Sequence, residues 1–592
     1  MKSFTLLAAA LWALAVPAGA LPSPRNPWIE VRTASFTLFS EAGERKTKEI
    51  GEDLERLRDA LSQLSPGLAL SSPTPTYIFV FRDAPSFQPY QRTYNGKPLD
   101  SGGYFLGRQL ANYVAINGDQ HGDEKVIIYH EYLHYLMNNN LAALPLWMNE
   151  GLAEYYSTFQ AAKDEARIGL PVPEHVFWLR QHTFIPFATL FAVTEKSPEY
   201  NETDRRGGFY AESWALVHYL ISGNPERRRQ ASEYLRLVQA GTPPDQIFAK
   251  AFGADPTRLE HELRIYIQKK LFDYTRVPIR SAASLAVDVK PMARADVLHR
   301  LGDLLANLSD DRAAEAGEHF RAALALQPDH GPALAGLGFL AEQAGRTDEA
   351  RADYEKAAKL AADDVRVQYL YANNLIADPG PDSLRLARAA LQRAVALRPG
   401  FGEAWARLGY TYQAEENLPP EAVQALETAH RLLPARMDVA HNLSLAYARN
   451  GQAAKAQELI DRVLVPQGTA EQVESAREGL LDEEHRRAEE LIGAQKLAEA
   501  LPVLEAVKAK TGRPQRRTEV EQRIEEIRHA LNFNTFVDRY NQAVELANRG
   551  KVPEAVAILE PLLKTTQDPV QVERARTLLE RLRPIRKKKA VR

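Results

Sequence analysis

The sequence is organised around HEYLH at residues 130–134, a segment with two histidines four positions apart. Residues 124–144 contain no proline or glycine, so this stretch is predicted to form a helix. Residues four apart lie on the same face of a helix, so His130 and His134 can direct both imidazoles at one metal ion. Glu131 stands next to the first of them, where a general base for an attacking water is needed.

A second acidic segment, NEGLAE at residues 149–154, follows after a short loop. Its position after 144–148, which indicates the start of another helix, places Glu150 and Glu154 on one face. A catalytic zinc takes three protein ligands and keeps one open position, so Glu150 is predicted to be the third ligand. Glu154 is predicted to accept a hydrogen bond from the far nitrogen of His130 and to hold its ring.

A coincidental polar helix is the alternative interpretation of the first motif. HExxH alone is a short pattern that arises by chance, but the second segment at 149–154 makes a chance origin much less credible. The pattern therefore favours a Zn²⁺ site at His130, His134 and Glu150, with Glu131 as the catalytic base.

The two segments resemble the gluzincin metallopeptidases, above all the M1 aminopeptidase-like catalytic domain. WMNEG at 147–151 is similar to the W-x-N-E-G segment of that family, whose glutamate is the third zinc ligand. YAESWALVHYL at 210–220 resembles a family helix that begins with the tyrosine stabilising the tetrahedral intermediate, which implies this catalytic role for Tyr210. The resemblance spans residues 28–275 and implies an α+β, thermolysin-like catalytic domain. It extends to exported bacterial peptidase MA-like proteins, in which such a domain precedes tetratricopeptide repeats.

Two features depart from the aminopeptidase pattern. Fifteen residues separate His134 from Glu150, fewer than the usual spacing of roughly eighteen, and no G-x-M-E-N segment is present to bind a free amino terminus. These departures concern specificity and not the metal ligands. Endopeptidase and exopeptidase action both remain open.

Residues 102–105 and 112–117 are predicted to pair as a hairpin before the motif helix. In gluzincins an edge strand at this place holds the extended substrate by main-chain hydrogen bonds, which implies that role for residues 113–116. An ordinary core strand is an equally good interpretation. His218 is interpreted as a packing or hydrogen-bonded structural residue and not as a catalytic one, and His121 as a solvated loop residue.

Composition excludes several classes of function. A net charge of −3 over 592 residues provides no broad positive field, so no nucleic-acid partner is expected. The absence of cysteine excludes disulfides, thiolate metal sites and a cysteine nucleophile. Residues 1–20 are typical of a secretory signal peptide, with Lys2, an apolar run and an A-x-A site. A bacterial periplasmic or secreted protein is predicted, without a transmembrane anchor after cleavage; an uncleaved signal anchor is the alternative.

The catalytic domain is predicted at 21–278 and a linker at 279–295, followed by an all-α solenoid. A recurring pattern of small and large apolar positions predicts tetratricopeptide repeats over 296–465. Degenerate repeats are predicted over 466–580 and a solvated basic tail at 581–592. The large apolar position recurs after 34, 37, 35 and 34 residues and is filled in turn by Phe320, Tyr354, Leu391, Leu426 and Ile460.

Together these patterns predict an exported zinc metallopeptidase that acts on a peptide or protein substrate. The repeats are predicted to bind a protein partner or an extended substrate, so that removing 296–592 would spare hydrolysis of short peptides. One rival interpretation is a periplasmic repeat scaffold with a vestigial peptidase domain. The other is a chaperone-like quality-control protein, analogous to exported M48-type peptidases that carry such repeats.

Overall fold

The structure is a computed structural model that describes residues 21–589, except for residue 24 and a set of short internal segments. The predicted signal peptide and His121 lie outside the described residues. The described residues divide into two compact units, Met1–Ala446 with Asp461–Thr469 and Tyr447–Ile460 with Ala470–Arg592. The segments left out are 66–69, 71–73, 95–96, 99–101, 109, 120–122, 141–143, 163, 195, 202, 241, 243, 254–255, 280–287 and 416.

Among the described residues, the first unit contains a six-stranded mixed β-sheet, a three-stranded sheet and a two-stranded sheet. Its strands in chain order are β1 (Ile29–Arg32), β2 (Thr37–Ser40), β3 (Thr76–Phe81), β4 (Thr93–Tyr94), β5 (Lys97–Pro98), β6 (Gly103–Gly107), β7 (Asn112–Asn117), β8 (Gln160–Ala161), β9 (Glu165–Ile168), β10 (Thr275–Pro278) and β11 (Asp288–Pro291). The main sheet has the order β11-β1-β2-β3-β7-β6, and the smaller sheets have the orders β10-β9-β8 and β4-β5. Strands β2, β3 and β7 run parallel, whereas β11, β1 and β6 pair antiparallel with their neighbours.

Helices follow and interrupt these strands. They are α1 (Glu44–Leu64), α2 (Ala84–Phe87), α3 (Asp123–Asn140), α4 (Leu146–Ser157), α5 (Pro173–Gln181), α6 (Phe187–Leu190), α7 (Pro198–Asn201), α8 (Thr203–Ser222), α9 (Pro225–Gln239), α10 (Pro244–Phe252) and α11 (Pro256–Ile267). A 3₁₀ turn spans Gln88–Tyr90. The predicted motif helix is α3, and the second acidic segment lies on α4. The α+β class predicted for this part of the chain agrees with the observed elements.

The hairpin predicted before the motif helix is confirmed, because β6 pairs antiparallel with β7. The substrate-edge role implied for residues 113–116 is wrong. Strand β7 lies between β3 and β6, so its main-chain groups are committed to the sheet on both sides. The edge strand beside α3 is β6. An apolar run predicts a strand but does not give its place in the sheet.

Side chains of β7 alternate between two cores. Val114 and Ile116 lie in the core that contains α1 and α3. Tyr113 and Ala115 lie in a second core, which includes Leu301 from the first helix of the repeat array. Successive strand residues point to opposite faces, so the array covers the face of the sheet that α1 and α3 leave open.

The array continues the first unit. Its helices are α12 (Arg294–Leu308), α13 (Ala313–Leu326), α14 (Gly331–Gln343), α15 (Thr347–Leu360), α16 (Val365–Ala377), α17 (Ser383–Leu397), α18 (Gly402–Thr411), α19 (Pro420–Leu432) and α20 (Met437–Arg449), with a 3₁₀ turn at Asp310–Arg312. The predicted helix-pair period is confirmed, because each of the five large apolar side chains that define it is at most 1% exposed.

The segment predicted as a linker, 279–295, contains structure. Strand β11 pairs with β1, with Ile29 opposite Pro291, and α12 begins at Arg294. Residues 280–287 lie outside the described part of the chain. Sequence patterning misses β11 because Val289 is its single large apolar residue, so no apolar alternation marks it.

Later helices are α21 (Ala453–Leu459), α22 (Val465–Gln467), α23 (Ala470–Gly493), α24 (Leu497–Lys510), α25 (Pro514–Asn548), α26 (Val552–Thr565) and α27 (Pro569–Lys589), with a π-helical turn at Ile460–Leu464. The separate tail predicted at 581–592 is corrected, because α27 continues to Lys589. Leu579 and Leu582 are buried in the core formed with α26, which holds this last helix in place. In the part of the chain that the structure describes, no helix is long and apolar enough to span a bilayer.

Candidate metal centre

Two packed helices position the predicted ligands. Helix α3 carries His130 and His134, and α4 carries Glu150. Gly151 lets α4 approach α8 closely, because a Cβ atom at this position would lie 2.3 Å from the main-chain oxygen of Ser213. The glycine after Glu150 thus serves the helix packing that brings the carboxylate to the histidines.

The three predicted ligands meet at one point. His130 Nε2 and His134 Nε2 are 3.0 Å apart, and Glu150 Oε2 lies 3.3 Å from the first and 3.2 Å from the second. Ligand atoms bound tetrahedrally at about 2.0–2.1 Å from a zinc ion stand roughly 3.3 Å from one another. The triangle therefore has the size that a single zinc ion requires.

The surroundings of Glu150 also fit a metal ion. Its side chain is buried, and Oε2 receives no hydrogen bond of acceptable geometry from the described residues. A buried carboxylate oxygen without a donor is costly unless a cation compensates it. The two histidines and this oxygen are the group of described residues whose geometry could hold a metal ion.

Each histidine ring has a polar partner at its Nδ1 atom, on the side away from the centre. His130 Nδ1 lies 3.4 Å from Glu154 Oε1, as predicted from the sequence, and Glu154 Oε2 lies 3.2 Å from His175 Nε2. His134 Nδ1 lies 3.1 Å from Asn149 Oδ1. Partners of this kind fix the ring and its tautomer, so that Nε2 of both histidines is turned toward the centre.

The carboxylates and the histidines of this centre shift one another's pKa values. Burial raises the pKa of Glu150 and of Glu154, but the neighbouring histidines outweigh burial and bring both pKa values to about 2. Burial lowers the pKa of His130, whereas its contacts with both glutamates raise it to about 10. Both carboxylates are therefore ionised near neutral pH.

Two tyrosines line the same centre. The Tyr200 hydroxyl donates to Glu150 Oε1 over 3.2 Å, leaving Oε2 for the metal position. The ring of Tyr210 stacks on that of Tyr200 at 6.2 Å and on that of His130 at 6.2 Å. Burial and the charge of Glu150 raise the pKa of Tyr210, so its hydroxyl keeps its proton.

The other candidate residues fall in different places. Glu131 lies half-buried on α3, next to His130 in the chain. His218 is fully buried, and its ring nitrogens lie 2.8 Å from the Tyr266 hydroxyl and 2.8 Å from the main-chain oxygen of Gly169. Burial lowers the pKa of His218 to about 4, so it is neutral. The structural interpretation of His218 is confirmed.

Comparison with known proteins gives matches for the repeat array. A model of the tetratricopeptide repeat family matches residues 307–373, which lie within the array. The chain contains tetratricopeptide repeats. A stretch of 136 residues is 30% identical to Tetratricopeptide repeat protein 8 of Caenorhabditis elegans and covers 23% of this chain and 23% of that protein. The chain therefore spans less than a quarter of that relative.

Solved structures are similar over limited parts of the chain. YrrB, described as a tetratricopeptide repeat protein with an unusual peptide-binding site, is 23% identical with a TM-score of 0.27, covering 31% of this chain and 92% of that one. The pilF protein of Pseudomonas aeruginosa is 19% identical with a TM-score of 0.27, over 39% of this chain and 97% of that one. A MamA structure is 21% identical with a TM-score of 0.25, over 29% and 91%.

Three residues of the centre were missed by sequence reasoning. Asn149 stands beside the predicted ligand Glu150, so its contact with His134 could have been inferred from adjacency. Tyr200 and His175 lie in a stretch without a recognisable pattern, and only the fold brings them to Glu150 and Glu154. The tetratricopeptide repeats contribute none of the three candidate metal ligands.

Proposed function

We propose that this chain is a zinc-dependent metallopeptidase that cleaves peptide bonds in the periplasm or outside the cell. The observation that carries the proposal is the triangle of His130, His134 and Glu150, whose ligand atoms stand 3.0–3.3 Å apart. One of these atoms, Glu150 Oε2, is buried and receives no hydrogen bond of acceptable geometry from the described residues. A site with three protein ligands leaves a fourth position open, which is typical of catalytic and not of structural zinc.

Zinc bound at these residues would supply Lewis-acid polarisation of the scissile carbonyl and acidify water at the open position. Glu131 takes the proton from the attacking water and passes it to the leaving amine. Tyr210, whose hydroxyl stays protonated, donates to the oxyanion that develops on the substrate. Glu154 and Asn149 keep the histidine rings in place while charge builds up during the reaction.

A second function is favoured by the family model, which matches residues 307–373 of the repeats. In that account the chain is a scaffold whose tetratricopeptide repeats bind a protein partner, with or without hydrolysis. Stacked helix pairs offer an extended surface suited to polypeptides. The two functions are compatible, because the repeats could deliver a substrate or partner to a working centre.

The experiment is hydrolysis of a mixed peptide library by purified full-length protein, with cleavage sites read by mass spectrometry. Glu131→Gln keeps the shape of the side chain but cannot accept the proton, so this variant should bind zinc as the wild type does and lose nearly all activity. His182→Ala, a change at an exposed histidine, should cleave normally. Zinc-loaded wild-type protein that cleaves nothing would favour the scaffold function, and undiminished cleavage by Glu131→Gln would remove Glu131 as the base.

A further inference from the structure

The carboxylate of Glu154 lies between two histidines. Its Oε1 atom is 3.4 Å from His130 Nδ1, and its Oε2 atom is 3.2 Å from His175 Nε2. An ionised carboxylate only accepts hydrogen bonds, so in each contact the histidine nitrogen carries the proton. The contact with His130 turns the Nε2 atom of that ring toward the metal position. Among the described residues, His175 has no hydrogen bond with a predicted metal ligand, so any effect it has on the centre passes through Glu154.

The second histidine matters because of the shape of a glutamate side chain. The last torsion angle of glutamate is broad, so a single donor leaves the plane of the carboxylate free to turn. Donors on both oxygens fix this plane, and the hydrogen bond from His175 to Oε2 keeps Oε1 directed at His130. The side chains of His175 and Glu154 are only 20% and 17% exposed, so bulk water has limited access to this contact.

The packing of α5 on α8 places His175. Helix α5 begins at Pro173, a residue suited to the first turn, and His175 is its third residue. The His175 ring lies 5.8 Å from the ring of Trp214, which is fully buried on α8. Gly208 lets the two helices approach, because a Cβ atom there would lie 2.5 Å from the ring of Trp178 on α5. The imidazole is therefore held next to Glu154 by contacts that do not involve the metal position.

We propose that His175 is a positioning residue of the metal centre, which fixes the Glu154 carboxylate and through it the His130 ring. The inference rests on the proposed zinc centre and adds an outer partner to it. Loss of a group that orients a ligating histidine typically lowers metal affinity 10–100-fold. His175 is one contact further from the metal position, so its loss should weaken zinc binding by about tenfold, at the lower end of that range.

A purely structural role for His175 is the competing explanation. In that case the side chain would anchor α5, and its removal would lower the melting temperature without a specific effect on zinc affinity. The two explanations differ in how the effect of His175 depends on Glu154. Changes to residues of one hydrogen-bonded network are non-additive, whereas the effects of independent changes add.

The test measures the zinc Kd of purified full-length protein by competition with chelators of graded affinity, with the melting temperature checked for each variant. His175→Leu should raise the Kd about tenfold. His175→Gln retains an N–H group that can donate to Glu154, so its Kd should stay within about threefold of the wild-type value. His182→Leu is the matched control, because His182 is an exposed histidine at the other end of α5, and its Kd should be unchanged.

A Glu154→Ala background separates positioning from anchoring. In that background, adding His175→Leu should change the zinc Kd by less than about twofold, because the group through which His175 acts is absent. Cobalt(II) in place of zinc gives a second readout, since its visible absorption reports the coordination geometry. The spectrum should change in His175→Leu and return to that of the wild type in His175→Gln. The glutamine variant remains informative if Glu154→Ala does not fold.

Three results would each overturn the inference: an unchanged Kd in His175→Leu, an effect of the same size in the Glu154→Ala background, or a His175→Gln variant that binds zinc as weakly as His175→Leu. Wild-type protein that binds zinc but cleaves no peptide would contradict the proposed peptidase function and leave the inference standing, because each readout measures metal binding. Wild-type protein that binds no supplied zinc would overturn both.

Discussion

Tyr113 donates a hydrogen bond to Asp303 over 2.9 Å, which joins strand β7 to the first helix of the repeat array. Both side chains are buried, and Arg366 completes the network by pairing with Asp303 and donating to the Tyr113 hydroxyl. Cutting the chain before α12 removes Asp303 and Arg366 together and leaves the buried Tyr113 hydroxyl without these two partners, and all three residues lie in one compact unit. The first repeats are therefore part of the same folded unit as the candidate metal centre.

Deleting residues 296–592 should abolish folding of the remaining domain, contrary to the expectation from sequence that short-peptide hydrolysis would survive. The deletion exposes the sheet face that carries Phe79, Phe81 and Tyr113. A large apolar surface that becomes exposed to solvent promotes aggregation. Soluble expression, circular dichroism and zinc content would be measured for the truncated chain.

A second truncation serves as the control. Removing 470–592 takes away most of the second compact unit and none of the residues of the sheet or the metal centre. That protein should stay soluble and bind zinc normally. A folded, zinc-binding product of the longer deletion would contradict the structural role assigned to the first repeats.

The network itself can be tested by Asp303→Asn. The change leaves the Arg366 guanidinium buried without its carboxylate, and breaking a buried pair costs about 3–5 kcal/mol of unfolding free energy. Asp382→Asn is the matched control, because its pair with Arg385 is 69% and 70% exposed and should contribute less than about 1 kcal/mol. Chemical denaturation gives both values, and equal effects of the two changes would refute the importance of the network.

The sequence predicted the parts of this molecule that depend on local spacing. The i, i+4 histidines, the following glutamates and the repeat period each reflect one helix or one helix pair, and the structure brings His130, His134 and Glu150 together accordingly. The features that the sequence could not predict depend on how strands pair and how helices pack in the folded chain. Strand β11 has no apolar pattern of its own, the interior position of β7 is set by its neighbours, and Tyr200 reaches Glu150 only through the packing around α8.

Glu212 should make stability depend on pH. Its side chain is fully buried, and burial raises its pKa from 4.5 to about 8. The folded state therefore holds a proton that the unfolded state has lost between pH 4.5 and 8, so stability falls as pH rises through this window. The effect on the free energy of unfolding amounts to a few kcal/mol at most, because each pKa unit of difference between the folded and unfolded states corresponds to about 1.4 kcal/mol.

Glu212→Gln removes this titration while keeping an oxygen that can accept from the Ile185 main-chain N–H. The variant should match the wild type near pH 5 and exceed it in unfolding free energy near pH 9. Denaturation curves at both pH values give the comparison. An unchanged difference between variant and wild type across this range would show that Glu212 is ionised in the folded state.

Tyr200→Phe and Tyr210→Phe should separate two roles at the centre. The first removes the donor to Glu150 Oε1, and loss of such a partner typically weakens metal affinity about 10–100-fold. The second should leave zinc affinity nearly unchanged and lower kcat by about 10²–10³, the usual effect of one oxyanion donor. Competition with a zinc chelator measures the zinc affinity, and steady-state kinetics measure kcat. If Tyr210→Phe weakened zinc binding and Tyr200→Phe lowered only kcat, the roles assigned to the two tyrosines would be wrong.

Zinc stoichiometry measures the central claim most directly. Inductively coupled plasma mass spectrometry of purified protein should give one zinc per chain for the wild type, since the described residues contain one set of ligands with suitable geometry. His134→Ala should give almost none, while His182→Ala, at an exposed histidine outside the centre, should keep one. Stoichiometric zinc retained by His134→Ala, or a wild-type protein that binds no zinc when it is supplied, would contradict the metal centre described above.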